Sequence, residues 1–168
     1  MNILALVLQF VLLLLAQQFL FANLGLGNYA AAHVAALFVL LIPFQIQSIP
    51  GMLLAFGYGL LWDMLSGTMG VHAFTCLLVF WVRPIWVGVI SPQVNLQSEE
   101  DADFNPLEQT YGWSLSYVLP LFFFYELIYF IMASFSLDLG VLLKTLASGL
   151  YSGTLAWLIV ILLTKRSK

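Results

Sequence analysis

The apolar residues of this chain fall in blocks about as long as the ~20 residues that a helix needs to cross a bilayer. Of its 168 residues, 62% are hydrophobic and only 8% are charged. A water-soluble domain of this size needs a polar surface that such a composition does not supply. The chain therefore reads as an all-α, polytopic integral membrane protein, a helical bundle in which residues 1–168 form a single transmembrane domain.

Six apolar segments can be drawn, at about residues 3–21, 29–44, 51–65, 71–90, 113–135 and 139–164. The first lacks a positive n-region and is longer than a signal-peptide core, so it reads as a retained helix. The second and third are short for a full crossing. Pro50 precedes the third, a favourable place for proline at a helix start. Arg83-Pro84 is expected to kink or end the fourth. About six crossings result, with five as the alternative.

Charge is concentrated in two places. Glu99, Glu100, Asp101, Asp103 and Glu108 lie in a soluble acidic loop at about 91–112, and Lys165, Arg166 and Lys168 lie at the C-terminus. Lysine and arginine near helix ends favour the cytoplasmic side. That places the C-terminus there and, with six crossings, the N-terminus and the acidic loop too. Arg83 agrees with this orientation and Lys144 does not. Trp62, Trp81, Trp86, Trp113, Tyr111 and Tyr117 fall near helix ends, where an aromatic belt is expected. No basic patch suited to nucleic acid is present. The lone cysteine, Cys76, excludes an internal disulfide.

Two groups of residues stand out. Gly51, Ala55, Gly59 and Asp63 recur every four residues, so on a helix they form one narrow ridge against which another helix can pack closely. Asp63 sits next to the SGTMG turn containing Gly67 and Gly70. There it either caps the next helix or meets a cation on a neighbouring helix or partner. Gly149 and Gly153, with Ser148, Ser152 and Ala156 beside them, repeat the small-residue pattern in the sixth segment.

Glu126 lies near the middle of the fifth segment and Lys144 in the sixth. At ~1.5 Å rise per residue, Glu126 is about 14 Å from Phe135, and Lys144 about 9 Å from Asp138. A lysine stem spans that offset, so an intramembrane Glu126–Lys144 pair is expected. His33 and His72 have no ligand companion at helical spacing and read as structural. No nucleophile elbow, phosphate loop or metal-binding motif is present, so the chain reads as a non-enzyme with no cofactor and no metal.

The stretch GYGLLWDMLSGTMGVHAF, residues 57–74, resembles the aspartate-bearing segment of the rod shape-determining protein family MreD. The family pattern falls here on Gly59, Leu60, Asp63, Ser66, Gly67, Gly70 and Ala73, with Ala55 in place of a first glycine. The length, the segment layout and Arg83-Pro84 followed by an acidic loop are similar to the form found in Bacteroidetes-type bacteria. The resemblance implies a non-enzymatic inner-membrane scaffold of the cell-elongation machinery that makes peptidoglycan. Its implied partners are an MreC-like single-pass protein, RodA and its penicillin-binding partner, and indirectly MreB. It also implies a bundle similar to the substrate-binding membrane subunits, or S-components, of vitamin transporters, which supplies a second functional reading. A transporter subunit needs polar groups converging inside the bundle. Its candidates, Gln17, Gln18, Asp63, Glu126 and Lys144, lie at different depths, so the scaffold is favoured.

Overall fold

A computed structural model describes residues 3–25, 30–46, 48–94, 96 and 104–163, and all regular structure among them is helical. Helix α1 spans Ile3–Phe19, α2 Leu37–Leu41, α3 Ser48–Ser66, α4 Val71–Ile90, α5 Tyr111–Ser134 and α6 Leu139–Leu163. Four of these, α3 to α6, are long and apolar enough to cross a membrane, and α1 is a shorter apolar helix. Leucines and other large apolar side chains cover their outer faces, as expected where lipid replaces water as the surrounding solvent. The chain has the character of a multi-pass membrane protein.

Helices α3, α4, α5 and α6 pack as successive neighbours, and α1 lies against α3. Polar side chains set the starts of the last two. Thr110 accepts from the Trp113 amide at the head of α5, and Asp138 accepts from the Val141 amide at 2.8 Å at the head of α6. Each satisfies one of the donors that a helix leaves open at its N-terminus.

The second apolar segment departs from expectation. It is not a short spanning helix. Residues 30–33 are irregular, Val34–Ala36 form a 3-10 turn and only Leu37–Leu41 are α-helical. Ile42 precedes Pro43 and turns extended (ψ 128°), the conformation that a following proline favours. From Val34 to Leu40 the residues are at most 1% exposed, so this inner segment is enclosed by the long helices. Alanine and leucine favour a helix intrinsically, but here side chains of the surrounding helices satisfy the irregular backbone instead. Non-helical backbone is tolerated at membrane depth only when it is buried in protein in this way.

Helix α4 does not end at Arg83-Pro84 but continues to Ile90, the full extent of the fourth apolar segment. Proline costs one hydrogen bond to the preceding turn. Arg83 and Val87 on either side are both fixed in the interior, which carries the helix past that point. Of the expected belt aromatics, Trp62 and Tyr117 belong to the core, whereas Trp81 and Tyr111 are exposed.

Candidate functional site

The ridge of α3 packs against α4 of the same chain. A side-chain carbon added at Gly59 would lie 2.5 Å from Ala73 Cα and 2.6 Å from the His72 carbonyl oxygen, both backbone atoms. One added at Gly51 would meet the Phe80 ring. Ala55, between them, is fully buried. Glycine at position 59 is what lets the two backbones touch. Asp63 closes the ridge by capping α4 from the neighbouring helix. Its Oδ1 accepts from the His72 amide at 3.0 Å and its Oδ2 from the Ala73 amide at 2.8 Å. Thr68 donates its hydroxyl to the same carboxylate. A carboxylate bonded to the open N–H groups of a helix start is stabilised by both hydrogen bonds and the helix dipole.

Gly67 and Gly70 do not pack. They hold φ of 72° and 79° with open space where a side chain would go. Their role is the reversal between α3 and α4, since glycine adopts this left-handed backbone without steric cost. Gly149 and Gly153 face α5, where an added carbon would meet the Phe123 ring and Leu119 respectively. Both glycine seams are therefore occupied inside the chain.

The Glu126–Lys144 pair expected from the sequence is replaced by another. Glu126 is fully buried, with Oε2 2.9 Å and Oε1 3.1 Å from His33 Nδ1. Lys144 is exposed on the outer face of α6. The reason is side-chain direction. Gly149 meets Phe123 and Gly153 meets Leu119, and extending that register sets Glu126 beside Leu146. Each side chain leans toward its own helix N-terminus. In antiparallel helices Glu126 therefore leans toward Ser152, and Lys144 leans away toward the start of α6.

Around Glu126 a polar and aromatic cluster draws on five helices, α1 and α3 to α6, and the inner segment. Ser152 Oγ lies 3.0 Å from Glu126 Oε1, accepts from the His33 amide at 2.9 Å, and lies 3.0 Å from the Ala31 carbonyl oxygen. Ser148 accepts from the Ala31 amide at 2.9 Å. Gln17 of α1 bonds the segment twice, donating to the Ala32 carbonyl at 2.6 Å and accepting from the Ala35 amide at 3.0 Å. Gln18 instead reaches the Leu65 carbonyl at an exposed edge. Trp62 stacks on His72 with ring centres 4.0 Å apart, and His72 Nδ1 lies 2.5 Å from the Tyr125 hydroxyl. Tyr129 packs on both histidine rings.

At the far end of the inner segment, Arg83 caps α2. Its Nη1 donates to the carbonyls of Val39 (2.7 Å), Leu40 (3.3 Å) and Ile42 (2.6 Å), and its guanidinium lies 4.1 Å from the centre of the Phe44 ring. Tyr117 adds a bond to the Leu40 carbonyl at 3.0 Å. The guanidinium is 1% exposed, so it is no anchor at the membrane surface. The open carbonyls of a helix C-terminus carry partial negative charge. Together with the ring face they spread the cation's charge without a carboxylate.

In the sequence His33 and His72 read as structural, and Ser148 and Ser152 as small packing residues beside Gly149 and Gly153. The one available signal was their recurrence at four-residue spacing beside the glycines. Among the described residues no group of three or more histidine, cysteine, aspartate or glutamate side chains could hold a metal ion. Glu108 lies in a 3-10 turn, Pro106–Glu108, and accepts from Asn105. The other acidic-loop carboxylates and the C-terminal basic cluster lie outside the described residues. No family model, curated protein or solved structure matches the chain.

Proposed function

We propose that the chain is a non-enzymatic scaffold subunit of a bacterial inner membrane, of the MreD type, acting in cell elongation and peptidoglycan synthesis. The observation that carries this reading is the α3–α4 hairpin. In the stretch that resembles the family, Gly59 permits backbone contact, Gly67 and Gly70 make the reversal, and Asp63 caps the second helix. Each of these pattern positions thus has a physical requirement behind it. Because both glycine seams are used internally, partners of the MreC, RodA and penicillin-binding kind bind through the outer helix faces or the loops. MreB is reached indirectly.

In this reading the inner segment counts as a crossing. It runs from the level of Gln17 to the level of Arg83, opposite in direction to α1, which makes six traverses with both termini on the cytoplasmic side. The acidic loop is then a cytoplasmic docking strip for a basic partner, through attraction that salt screens.

The cluster around Glu126 favours a second reading, a substrate-binding subunit of a small-molecule transporter with an S-component-like bundle. It gathers polar groups inside the bundle, as such a site requires. Against it, Glu126 and Asp63 are satisfied by bonds within the chain. A mild-detergent pull-down of the tagged protein from its native membrane separates the two. Recovery of an MreC-like protein, RodA or its penicillin-binding partner supports the scaffold. Recovery of ATPase subunits or a bound small molecule overturns it.

A further inference from the structure

Glu126 is a carboxylate in the middle of a membrane helix, and its partner is a histidine rather than a permanent cation. The hydroxyl beside it is placed unusually. Ser152 has one proton to donate but stands 3.0 Å from each of two acceptors, Glu126 Oε1 and the Ala31 carbonyl oxygen. It also accepts from the His33 amide at 2.9 Å. A hydroxyl offers one donor and two acceptor lone pairs, so only one of its two acceptors can receive its proton at a time.

The two choices correspond to two protonation states of Glu126. With Glu126 ionised, Ser152 donates to Oε1 and His33 Nδ1–H donates to Oε2. With a proton on Oε1, the direction reverses. Glu126 donates to Ser152 Oγ, Ser152 turns its proton to the Ala31 carbonyl, and His33 still donates to Oε2. Protonation thus reverses the Glu126–Ser152 bond and forms the Ser152–Ala31 bond, while the bonds from His33 to Glu126 Oε2 and to Ser152 stay in place, and no heavy atom has to move.

We infer that Glu126, Ser152 and His33 form a reversible proton-binding site within the membrane domain. Uptake forms one O–H bond on Glu126 Oε1 and removes one negative charge from the site. The surroundings suit a small change of charge. From α4 the pair is faced by His72, whose ring centre is 5.3 Å from that of His33, with Cys76 one turn further along the same helix. Tyr125 and Tyr129 face it from α5. Asp63 on α3 is already tied to amide groups. The residues that α1 and α6 contribute here, Gln17, Ser148 and Ser152, do not titrate. Lys144, the cation of α6, is turned outward.

Infrared difference spectroscopy across a pH titration tests the site in lipid nanodiscs, on the full chain carrying Glu99→Gln, Glu100→Gln and Glu108→Gln, which leaves Glu126 as its one glutamate. A carbonyl stretch of a protonated carboxylic acid that shifts when glutamate is 13C-labelled should grow reversibly as pH falls and vanish in Glu126→Gln. Ser152→Ala removes a donor to the anion and an acceptor for the acid. The bond to the charged form is the stronger, so proton affinity should rise roughly tenfold. Absence of the band overturns the site. So does a label-sensitive band that survives Glu126→Gln, a midpoint unmoved in Ser152→Ala, or an imidazolium signature in place of the carboxylic acid. Because Glu126 is the one labelled residue in that chain, the label decides the matter even if Glu126→Gln does not fold.

Discussion

Gly59→Ala adds one methyl group at the point where two backbones meet, and its cost can be worked from the contact. The new carbon would stand 2.5 Å from Ala73 Cα, 2.6 Å from the His72 oxygen and 2.7 Å from the Ala73 nitrogen. Ordinary carbon contacts are about 3.5–4.0 Å, so α3 and α4 must move apart by roughly an ångström. No side-chain rotation relieves this, because every atom met is backbone. Overpacking alone costs about 1–3 kcal/mol. The same movement stretches the bonds from Asp63 to the His72 and Ala73 amides, now 3.0 and 2.8 Å, beyond useful length. Bonds to a charged group contribute about 1.5–3 kcal/mol each. A total loss of about 4–9 kcal/mol is expected. Unfolding in mixed micelles, followed by tryptophan fluorescence, measures it. Gly57→Ala is the control, since a carbon added there meets nothing within 4 Å. That variant should be neutral, or stabilising by up to ~1 kcal/mol through helix propensity. Equal stability of the two variants would refute the close approach of α3 and α4.

Asp63→Ala leaves the amides of His72 and Ala73 without their partner and should cost about 3–5 kcal/mol, with Asp63→Asn intermediate because one acceptor oxygen remains; the same unfolding assay orders the three proteins. Arg83→Met keeps the bulk but strips the donors from the Val39, Leu40 and Ile42 carbonyls, and should lower stability by at least ~3 kcal/mol. Hydrogen exchange should then show the end of the inner segment opening first. Lys144→Gln, on the outer face, should change stability by no more than ~0.5 kcal/mol, which a thermal melt of the purified protein checks against wild type. A larger loss would mean that Lys144 holds a partner after all.

The long helices were legible because their apolar runs match the thickness of a bilayer and the turn with Gly67 and Gly70 parts the third from the fourth, whereas the caps Thr110 and Asp138 emerge only in the structure. The ridge of Gly51, Ala55, Gly59 and Asp63 was legible too, since spacing of four places residues on one face whatever the fold. Spacing does not say which helix fills the ridge, and here it is the chain's own α4. The inner segment was misjudged because its alanines and leucines carry only a helical preference. The side chains that override it lie as far away as Ser148 and Ser152, more than a hundred residues on. Glu126 was recognised as a buried acid, but its partner depended on the lean of side chains in antiparallel helices. Nearness along the helix axes pointed to Lys144, and direction decided for His33.

The dependence of the inner segment on distant side chains has a consequence for how the protein is made. A helix entering a membrane satisfies its own backbone and can be released as soon as it is synthesised. The irregular stretch at Ala31–His33 cannot, because two of its amides bond to serines on the last helix to emerge. Until α6 arrives, those groups face a solvent that offers them nothing. Such long-range closure is slow and falls late in folding. The final helix thus acts as a checkpoint. A chain cut short before α6 retains exposed backbone inside the bilayer, the kind of defect by which membrane quality control can tell unfinished chains from finished ones.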